Sequence, residues 1–289
     1  MNPQPPAPTC FRHADRTTGL ACTRCGRPAC PDCLRQAAVG QQCVECVAQG
    51  QRDVRQVRTP VGGPAPTRPT PYVTYALIAL NVAVFAITAV QAHSVAANSS
   101  SNLFHDWVLW PQAVAHGQWI RVLGGGFLHY GPLHLVVNMF ALYVLGRDAE
   151  TVLGRWRYLA IYLTSLLGGA ATVMWLAPND TTAGASGAIF GLFGALTVVL
   201  LRLRRSPTQM LVVIGINLII SISVPGISLW GHLGGLAAGT LATVGLLYGP
   251  QWLRVRTQET GLRVGWAAVA LVAVSALVLI GGAAAALTS

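Results

Sequence analysis

The chain contains no lysine and few charged residues of either sign. Charged residues make up 10% of its 289 positions, against about a quarter in a typical soluble domain. This scarcity, with a mean hydropathy of +0.53, excludes an ordinary soluble protein and indicates an integral membrane protein. The absence of lysine beside abundant Ala, Gly, Val and Arg favours a high-GC bacterial genome.

Acidic residues are also scarce, and the net charge is +10. In a soluble protein such an excess would indicate a nucleic-acid partner. Here the arginines gather in the N-terminal segment and between apolar runs, so we interpret them as topology determinants and expect no nucleic-acid partner. The start, MNPQPPAPTC, lacks a basic n-region and an apolar h-region, so we expect no cleavable signal peptide. The chain has no HExxH motif, which disfavours a metalloprotease.

The first 50 residues hold all seven cysteines of the chain. Together with His13 they form four pairs, each with two residues between its members: Cys10/His13, Cys22/Cys25, Cys30/Cys33 and Cys43/Cys46. This spacing lets a tight turn present two donors to one metal ion, and two tetrahedral zinc ions need eight donors. We therefore predict two structural zinc ions with complete coordination, rather than disulfides, and no metal in catalysis.

This layout resembles the B-box-type zinc finger, in which the pairs alternate between two sites. The resemblance implies one site from Cys10, His13, Cys30 and Cys33, and another from Cys22, Cys25, Cys43 and Cys46. The spacing alone equally allows sequential pairing. A domain with so few apolar residues depends on metal for its fold, and we expect it to contact a cytosolic partner or the membrane domain. Residues 51–71, rich in Arg, Pro and Gly, have the composition of a cytoplasmic linker.

Seven apolar stretches follow the linker. They are 72–91, 132–147, 157–176, 185–201, 209–224, 229–248 and 264–287. About 20 apolar residues cross a bilayer, and buried or kinked helices can be shorter. Pro225 and Gly226 mark a turn between the fifth and sixth stretches. We therefore predict an all-α polytopic membrane protein with seven transmembrane helices.

The arginines give these helices an orientation. If seven spans alternate, the arginines before the first span and those after the second, fourth and sixth all fall on one side, while the other side holds only Arg121. Because positive residues favour the cytoplasm, we expect a cytoplasmic N-terminus and an external C-terminus in the cell membrane. The cysteines then lie in a reducing compartment, where thiolates persist. For Arg121 the sequence leaves open an exposed charge and bonds to lipid headgroups or loop carbonyls.

Four polar residues from three spans then share one depth near the outer side: Ser186, His232, His134 and Asn138. Polar groups at membrane depth are costly and are often functional. Neutral His232 could accept the proton of the Ser186 hydroxyl. His134 and Asn138 are four residues apart, so they fall on one helical face, and both could donate hydrogen bonds to an oxyanion. No Asp or Glu is placed to complete a triad, so a Ser–His dyad is the simplest interpretation.

These residues lie in motifs that resemble those of the rhomboid family of intramembrane serine proteases. The nucleophile motif GxSG occurs as GASGAIFG, the histidine motif as GHLGGLAAG, and the HxxxN motif, with its preceding histidine, as FLHYGPLHLVVNM. The segment QWIRVLGGGFLH also suits the family's first-loop boundary. The three motifs occur in the family's order. Together they are far more specific than any one alone.

The resemblance implies a six-helix protease core in residues 72–248, with 249–289 forming a cytoplasmic loop and a seventh helix outside it. It implies Ser186 as nucleophile, His232 as general base, and an oxyanion hole from His134, Asn138 and the backbone N–H of Ser186. It also implies cleavage of single-pass membrane-protein substrates near the outer end of their transmembrane segment.

Two other functions are compatible with parts of the sequence. A catalytically inactive, client-binding rhomboid-like protein would lack the serine or the histidine, and both are present. A transporter would have its polar residues near the midplane and often internal repeats. Here the residues lie near one face and no repeat is evident.

Overall fold

The computed structural model describes residues 7–53 and 70–289. The chain divides into two compact units, Met1–Val57 and Arg58–Ser289, and each has its own buried core. Most of the predicted linker 51–71 lies outside the described residues. The first three residues of this segment, 51–53, were predicted as linker but form the end of a helix that runs to Asp53.

The N-terminal unit consists of two antiparallel hairpins and one helix. Strand β1 (Thr9–Cys10) pairs with β2 (His13–Thr17), β3 (Leu34–Gln36) pairs with β4 (Gln41–Cys43), and helix α1 (Val44–Asp53) follows. Apart from cysteines, its buried residues in the described range are Thr18, Ala29 and Leu34. So small an apolar core cannot by itself offset the conformational entropy of folding.

The described part of the second unit, residues 70–289, is mainly helical and has a helix at each of the seven predicted spans. These are α2 (Tyr72–Gln91), α6 (Gly131–Leu153), α7 (Arg155–Leu176), α8 (Ser186–Arg202), α9 (Thr208–Ser223), α10 (Leu229–Trp252) and α11 (Gln258–Thr288). Three short helices fill the connection between α2 and α6: α3 (Asn102–Trp107), α4 (Pro111–Ala115) and α5 (Ile120–Gly124). The fold is therefore a multi-pass helical bundle preceded by a small cysteine-rich unit.

Four of these helices are long and apolar enough to cross a membrane on their own: α2, α7, α10 and α11. A fifth candidate joins Ile120–Phe127 to α6 across an 88° bend. Helices α8 and α9 are shorter and apolar. At about 1.5 Å per residue, the 17 residues of α8 reach about 25 Å, a little less than the about 30 Å hydrocarbon core. A short α8 is tolerated because it is surrounded by α6, α7, α9 and α10.

Helix α6 continues six residues beyond the predicted end of the second span at Arg147. Its extra turn contains Glu150, whose side chain is buried and accepts hydrogen bonds from the backbone N–H groups of Val73 and Thr74 at 3.0 and 2.8 Å. The carboxylate thus satisfies free N–H groups at the start of α2, where negative charge is favoured. The predicted span ended at Arg147 because it followed the apolar run, whereas the helix continues to Leu153.

Arg121 is buried in the connection between α2 and α6. Its guanidinium donates to the carbonyls of His105 and Val108 at 2.6 and 3.0 Å and to the side chain of Gln118 at 2.6 Å. Of the alternatives left open for this arginine, the structure therefore shows the one in which it binds loop carbonyls. These bonds tie α3 and α5 together.

Helices α8 and α10 approach each other through glycines four residues apart, Gly187 and Gly191 on α8 and Gly235 and Gly239 on α10. This small-xxx-small spacing is typical of close helix packing. A Cβ atom on Gly235 would overlap the carbonyl oxygen of Gly187, and one on Gly239 would overlap that of Gly191. Glycine at these positions lets the two backbones come into direct contact. This contact determines the separation between the N-terminal ends of the two helices.

We expect Gly235→Ala to lower stability, because the new methyl group would meet backbone atoms that cannot rotate away. Overpacking of this kind costs about 1–3 kcal/mol. Gly215→Ala on α9 is the matched control, since a Cβ there meets nothing within 4 Å. Thermal unfolding in detergent followed by circular dichroism should show a lower Tm for Gly235→Ala and an unchanged Tm for Gly215→Ala. Equal Tm values for both would contradict the close approach.

Candidate active site and metal centres

Ser186 and His232 are brought together at the first turns of α8 and α10. Ser186 is the first residue of α8, and His232 is the fourth of α10. The Oγ of Ser186 lies 2.7 Å from Nε2 of His232, which is hydrogen-bonding distance. Nε2 can therefore accept the hydroxyl proton, as the sequence-based pairing requires.

Two further side chains fix the position of the His232 ring. Phe190, one turn beyond Ser186 on α8, stacks on it with ring centroids 4.1 Å apart and an interplanar angle of 12°. Ser221 on α9 places its Oγ 2.7 Å from Nδ1. His232 is buried, with 7% of its surface exposed. Both of its ring nitrogens thus have a hydroxyl partner.

His134 lies beside the serine, with its ring edge against Gly184. A Cβ on Gly184 would come within 2.9 Å of Cε1 and Nε2 of His134, and 3.6 Å from Oγ of Ser186. Gly184 has a φ of +131°, which side chains rarely tolerate. The backbone N–H of Tyr130 donates to Nδ1 of His134 at 3.2 Å. In the neutral ring the proton is therefore on Nε2, the nitrogen that faces the Ser186 segment.

Asn138 lies one turn further along α6 and is buried. Its Nδ2 donates to the backbone carbonyl of His134 at 2.9 Å, and the second amide proton has no acceptor among residues 7–53 and 70–289. Its Oδ1 is buried without a hydrogen-bond partner among the described residues. A buried amide oxygen without a partner is costly.

The backbone N–H of Ser186 is the third predicted oxyanion donor. Helix α8 begins at Ser186. The Ser186 N–H therefore has no carbonyl four residues earlier in the helix to which it could donate. The positive end of the helix dipole also favours negative charge here. His129, the histidine before the HxxxN motif, is fully buried, and its carbonyl accepts a hydrogen bond from Asn98.

Ser221 is the site residue that the sequence-based search missed. The search for a third partner considered only Asp and Glu. None of the hydrogen bonds to His232 in the described residues comes from a carboxylate. The available signal was a polar side chain inside the apolar run of the fifth span, 11 positions before His232, where a polar group is costly without a partner.

In the N-terminal unit, the eight predicted metal donors form two groups of four. The groups are Cys10, His13, Cys30 and Cys33, and Cys22, Cys25, Cys43 and Cys46. Within each group every ligand atom lies within 4.8 Å of the others. Of the two pairings that the spacing allowed, this is the alternating one.

The donor separations fit a tetrahedral metal ion. Nδ1 of His13 lies 3.4 Å from the sulfurs of Cys30 and Cys33 and 3.8 Å from that of Cys10. The sulfurs of Cys25 and Cys43 are 3.8 Å apart. A tetrahedron with zinc bonds of about 2.0–2.3 Å has edges of about 3.5–3.8 Å. Both groups could therefore hold one ion each.

A backbone hydrogen bond favours the thiolate form of Cys22. The N–H of Cys43 donates to its Sγ at 3.1 Å. This bond is the largest of several hydrogen bonds that outweigh burial and lower the pKa of the Cys22 thiol to about 6. Thiolates bind metal ions, whereas thiols do not. These hydrogen bonds therefore favour the form of Cys22 that binds metal.

Together the fold and the site define a class: a multi-pass helical membrane protein with a serine–histidine pair inside its bundle. Residues 116–249 match the Rhomboid domain family model. The chain is 35% identical over 181 residues to rhomboid protease GluP of Bacillus subtilis, an alignment that covers 61% of this chain and 35% of GluP. It is 32% identical over 178 residues to the putative rhomboid protease YdcA of the same organism, covering 59% of this chain and 86% of YdcA.

A third relative is rhomboid protease AarA of Providencia stuartii, 27% identical over 215 residues, which covers 63% of this chain and 75% of AarA. The chain thus spans most of YdcA but only about a third of the length of GluP. It belongs to the rhomboid family, which confirms the family that the sequence predicts.

Proposed function

We propose that the protein is an intramembrane serine protease that cleaves membrane proteins with Ser186 as nucleophile and His232 as general base. The observation that carries the proposal is the 2.7 Å hydrogen bond between Ser186 Oγ and His232 Nε2 inside a helical membrane bundle. Relatives named as rhomboid proteases support it. The inactive alternative is not favoured, because both residues are present and in contact.

In the proposed reaction, Ser186 Oγ attacks the scissile carbonyl carbon while its proton passes to His232 Nε2. The new C–O bond leaves a tetrahedral oxyanion. When the C–N bond breaks, His232 returns the proton to the leaving amine, and an acyl ester remains on Ser186. A water molecule then attacks the ester carbon and gives its proton to His232. As the bond to Ser186 Oγ breaks, His232 returns this proton to Oγ, and the acid product leaves. General base catalysis of this kind contributes about 10²–10⁴-fold in rate.

Three N–H groups form the proposed oxyanion hole: Nε2–H of His134, the free amide proton of Asn138 and the backbone N–H of Ser186. Support comes from the hydrogen bond that places the His134 proton on Nε2 and from the position of Ser186 at the start of α8. Hydrogen-bond donors that point at the oxyanion stabilise the transition state strongly where water is excluded.

We expect His134→Ala to lower kcat by about 10²–10³-fold, the usual loss for one oxyanion donor, with little change in KM. His105→Ala is the matched control, because His105 is an exposed histidine in the α2–α6 connection. The measurement is steady-state cleavage in proteoliposomes. A loss confined to KM would instead assign His134 to ground-state substrate binding.

We further infer that each metal group holds a structural zinc ion and that the N-terminus lies in the cytoplasm. The alternating four-donor groups and the arginine distribution support these two points. We also propose that the substrates are single-pass membrane proteins. They are cut near the outer end of their transmembrane segment. The zinc-binding unit is free to bind a cytosolic partner.

The experiment that tests the proposed activity is cleavage of a model single-pass substrate by purified protein in proteoliposomes. The substrate carries helix-destabilising residues near its outer end, and products are identified by mass spectrometry. We expect a cut within that region. Failure across a broad panel of such substrates would count against the protease function.

A further inference from the structure

We propose that Ser221 on α9 is a positioning residue for His232, so that Ser186, His232 and Ser221 act as a Ser–His–Ser triad rather than a dyad. This inference rests on the proposed protease function and deepens it. Ser221 is 5% exposed, and its Oγ lies 2.7 Å from Nδ1 of His232.

The hydrogen bonds of Ser221 fix which nitrogen of His232 carries the proton. Its own hydroxyl donates to the backbone carbonyl of Asn217 at 2.7 Å. With its one proton used there, Oγ can only accept from His232, so Nδ1 is the protonated nitrogen. Nε2 then has a free lone pair facing the Ser186 hydroxyl. This is the tautomer that a general base needs.

The rest of α9 shows that this contact is specific. Of the 16 residues in this helix, only Ile214 and Ser221 are buried. The one buried polar side chain of the helix is therefore the one that contacts the histidine. A neutral hydroxyl is also the less costly choice here, because a carboxylate at membrane depth must be desolvated.

During the reaction Ser221 gains and loses no proton. When Ser186 Oγ transfers its proton to Nε2, the Nδ1–H bond to Ser221 Oγ remains and holds the imidazolium in the same plane. The proton on Nε2 then goes to the leaving amine. Ser221 thus acts through His232 and does not touch the substrate.

The test compares Ser221→Ala with Ser221→Thr and with Ser223→Ala. Ser223 is an exposed serine two residues further along α9, and threonine keeps a hydroxyl that can bond the carbonyl four residues earlier. For cleavage in proteoliposomes we expect Ser221→Ala to lose about tenfold in kcat, equivalent to about 1.4 kcal/mol, with KM unchanged. Ser223→Ala should match the native protein, and Ser221→Thr should recover most of the loss.

A second measurement reports on the histidine itself. In ¹⁵N-histidine-labelled protein, with the His232 signals assigned by their loss in His232→Ala, we expect one tautomer protonated on Nδ1. Ser221→Ala should give a mixture of tautomers. Native kcat and an unchanged tautomer in Ser221→Ala would overturn the inference, as would a kcat loss matched by a lower Tm without rescue by threonine.

Failure of the inference and failure of the proposed function give different results. If the native protein cleaves and Ser186→Ala does not, but Ser221→Ala behaves as native in both measurements, only the role of Ser221 is overturned. If the native protein neither cleaves nor reacts at Ser186 with a serine-directed probe, the protease function fails and the triad fails with it.

Discussion

Ser186→Ala is expected to reduce substrate cleavage to the uncatalysed background, a loss of at least about 10³-fold in kcat. The reason is that no other hydroxyl among the described residues contacts Nε2 of His232. His232→Ala should cause a loss of similar size, because a serine hydroxyl without its base is a weak nucleophile. The measurement is single-turnover cleavage in proteoliposomes with native protein and both variants side by side.

Two control variants separate lost chemistry from lost folding. Ser223→Ala removes an exposed serine hydroxyl, and His116→Ala removes an exposed ring that bonds only the carbonyl of Gln112 in the described structure. Both should cleave as the native protein does, and all four variants should keep its Tm within a few degrees. Substantial cleavage by the Ser186→Ala variant would exclude Ser186 as the nucleophile.

Removal of zinc is expected to unfold the N-terminal unit while leaving cleavage intact. The unit has almost no apolar core besides its cysteines, and metal binding in such domains supplies about 10–16 kcal/mol. The helical unit has a separate core. After dialysis against a chelator, hydrogen–deuterium exchange should show lost protection in 7–53 only. Protection that survives complete metal removal would contradict a structural role for zinc.

Metal content also tests the pairing of the donors. In the alternating arrangement, Cys10 and Cys33 serve the same ion. The double variant Cys10→Ser/Cys33→Ser should therefore retain one of the two zinc ions, as measured by plasma mass spectrometry of the purified protein. Sequential pairing would place these cysteines at different ions, and both would be lost. Asp15→Asn, an exposed change outside both groups, should keep two.

The positions of the helices were predictable from the sequence because apolar runs reflect burial in lipid directly. Helix α2 has the predicted bounds, Tyr72–Gln91. Helix ends were less predictable, since a charged residue ends an apolar run but need not end a helix. Glu150 illustrates this, because its partners are backbone N–H groups 76 and 77 positions away.

The site was predictable where sequence spacing determines geometry and not where tertiary packing does. The i, i+4 relation of His134 and Asn138 places both on one face of α6. The contact between α8 and α10 follows from their paired glycines. Ser221 could not be assigned in this way, because its contact with His232 depends on how α9 lies against α10, and sequence periodicity does not encode that arrangement.

The most direct test of the central claim is labelling with a serine-directed fluorophosphonate, followed by peptide mass spectrometry to locate the adduct. This measurement reports directly on the nucleophile and its base and needs no knowledge of the natural substrate. The account predicts an adduct on Ser186 of the native protein that is lost when His232 is replaced by alanine. Absence of label on Ser186, or equal labelling without His232, would contradict it.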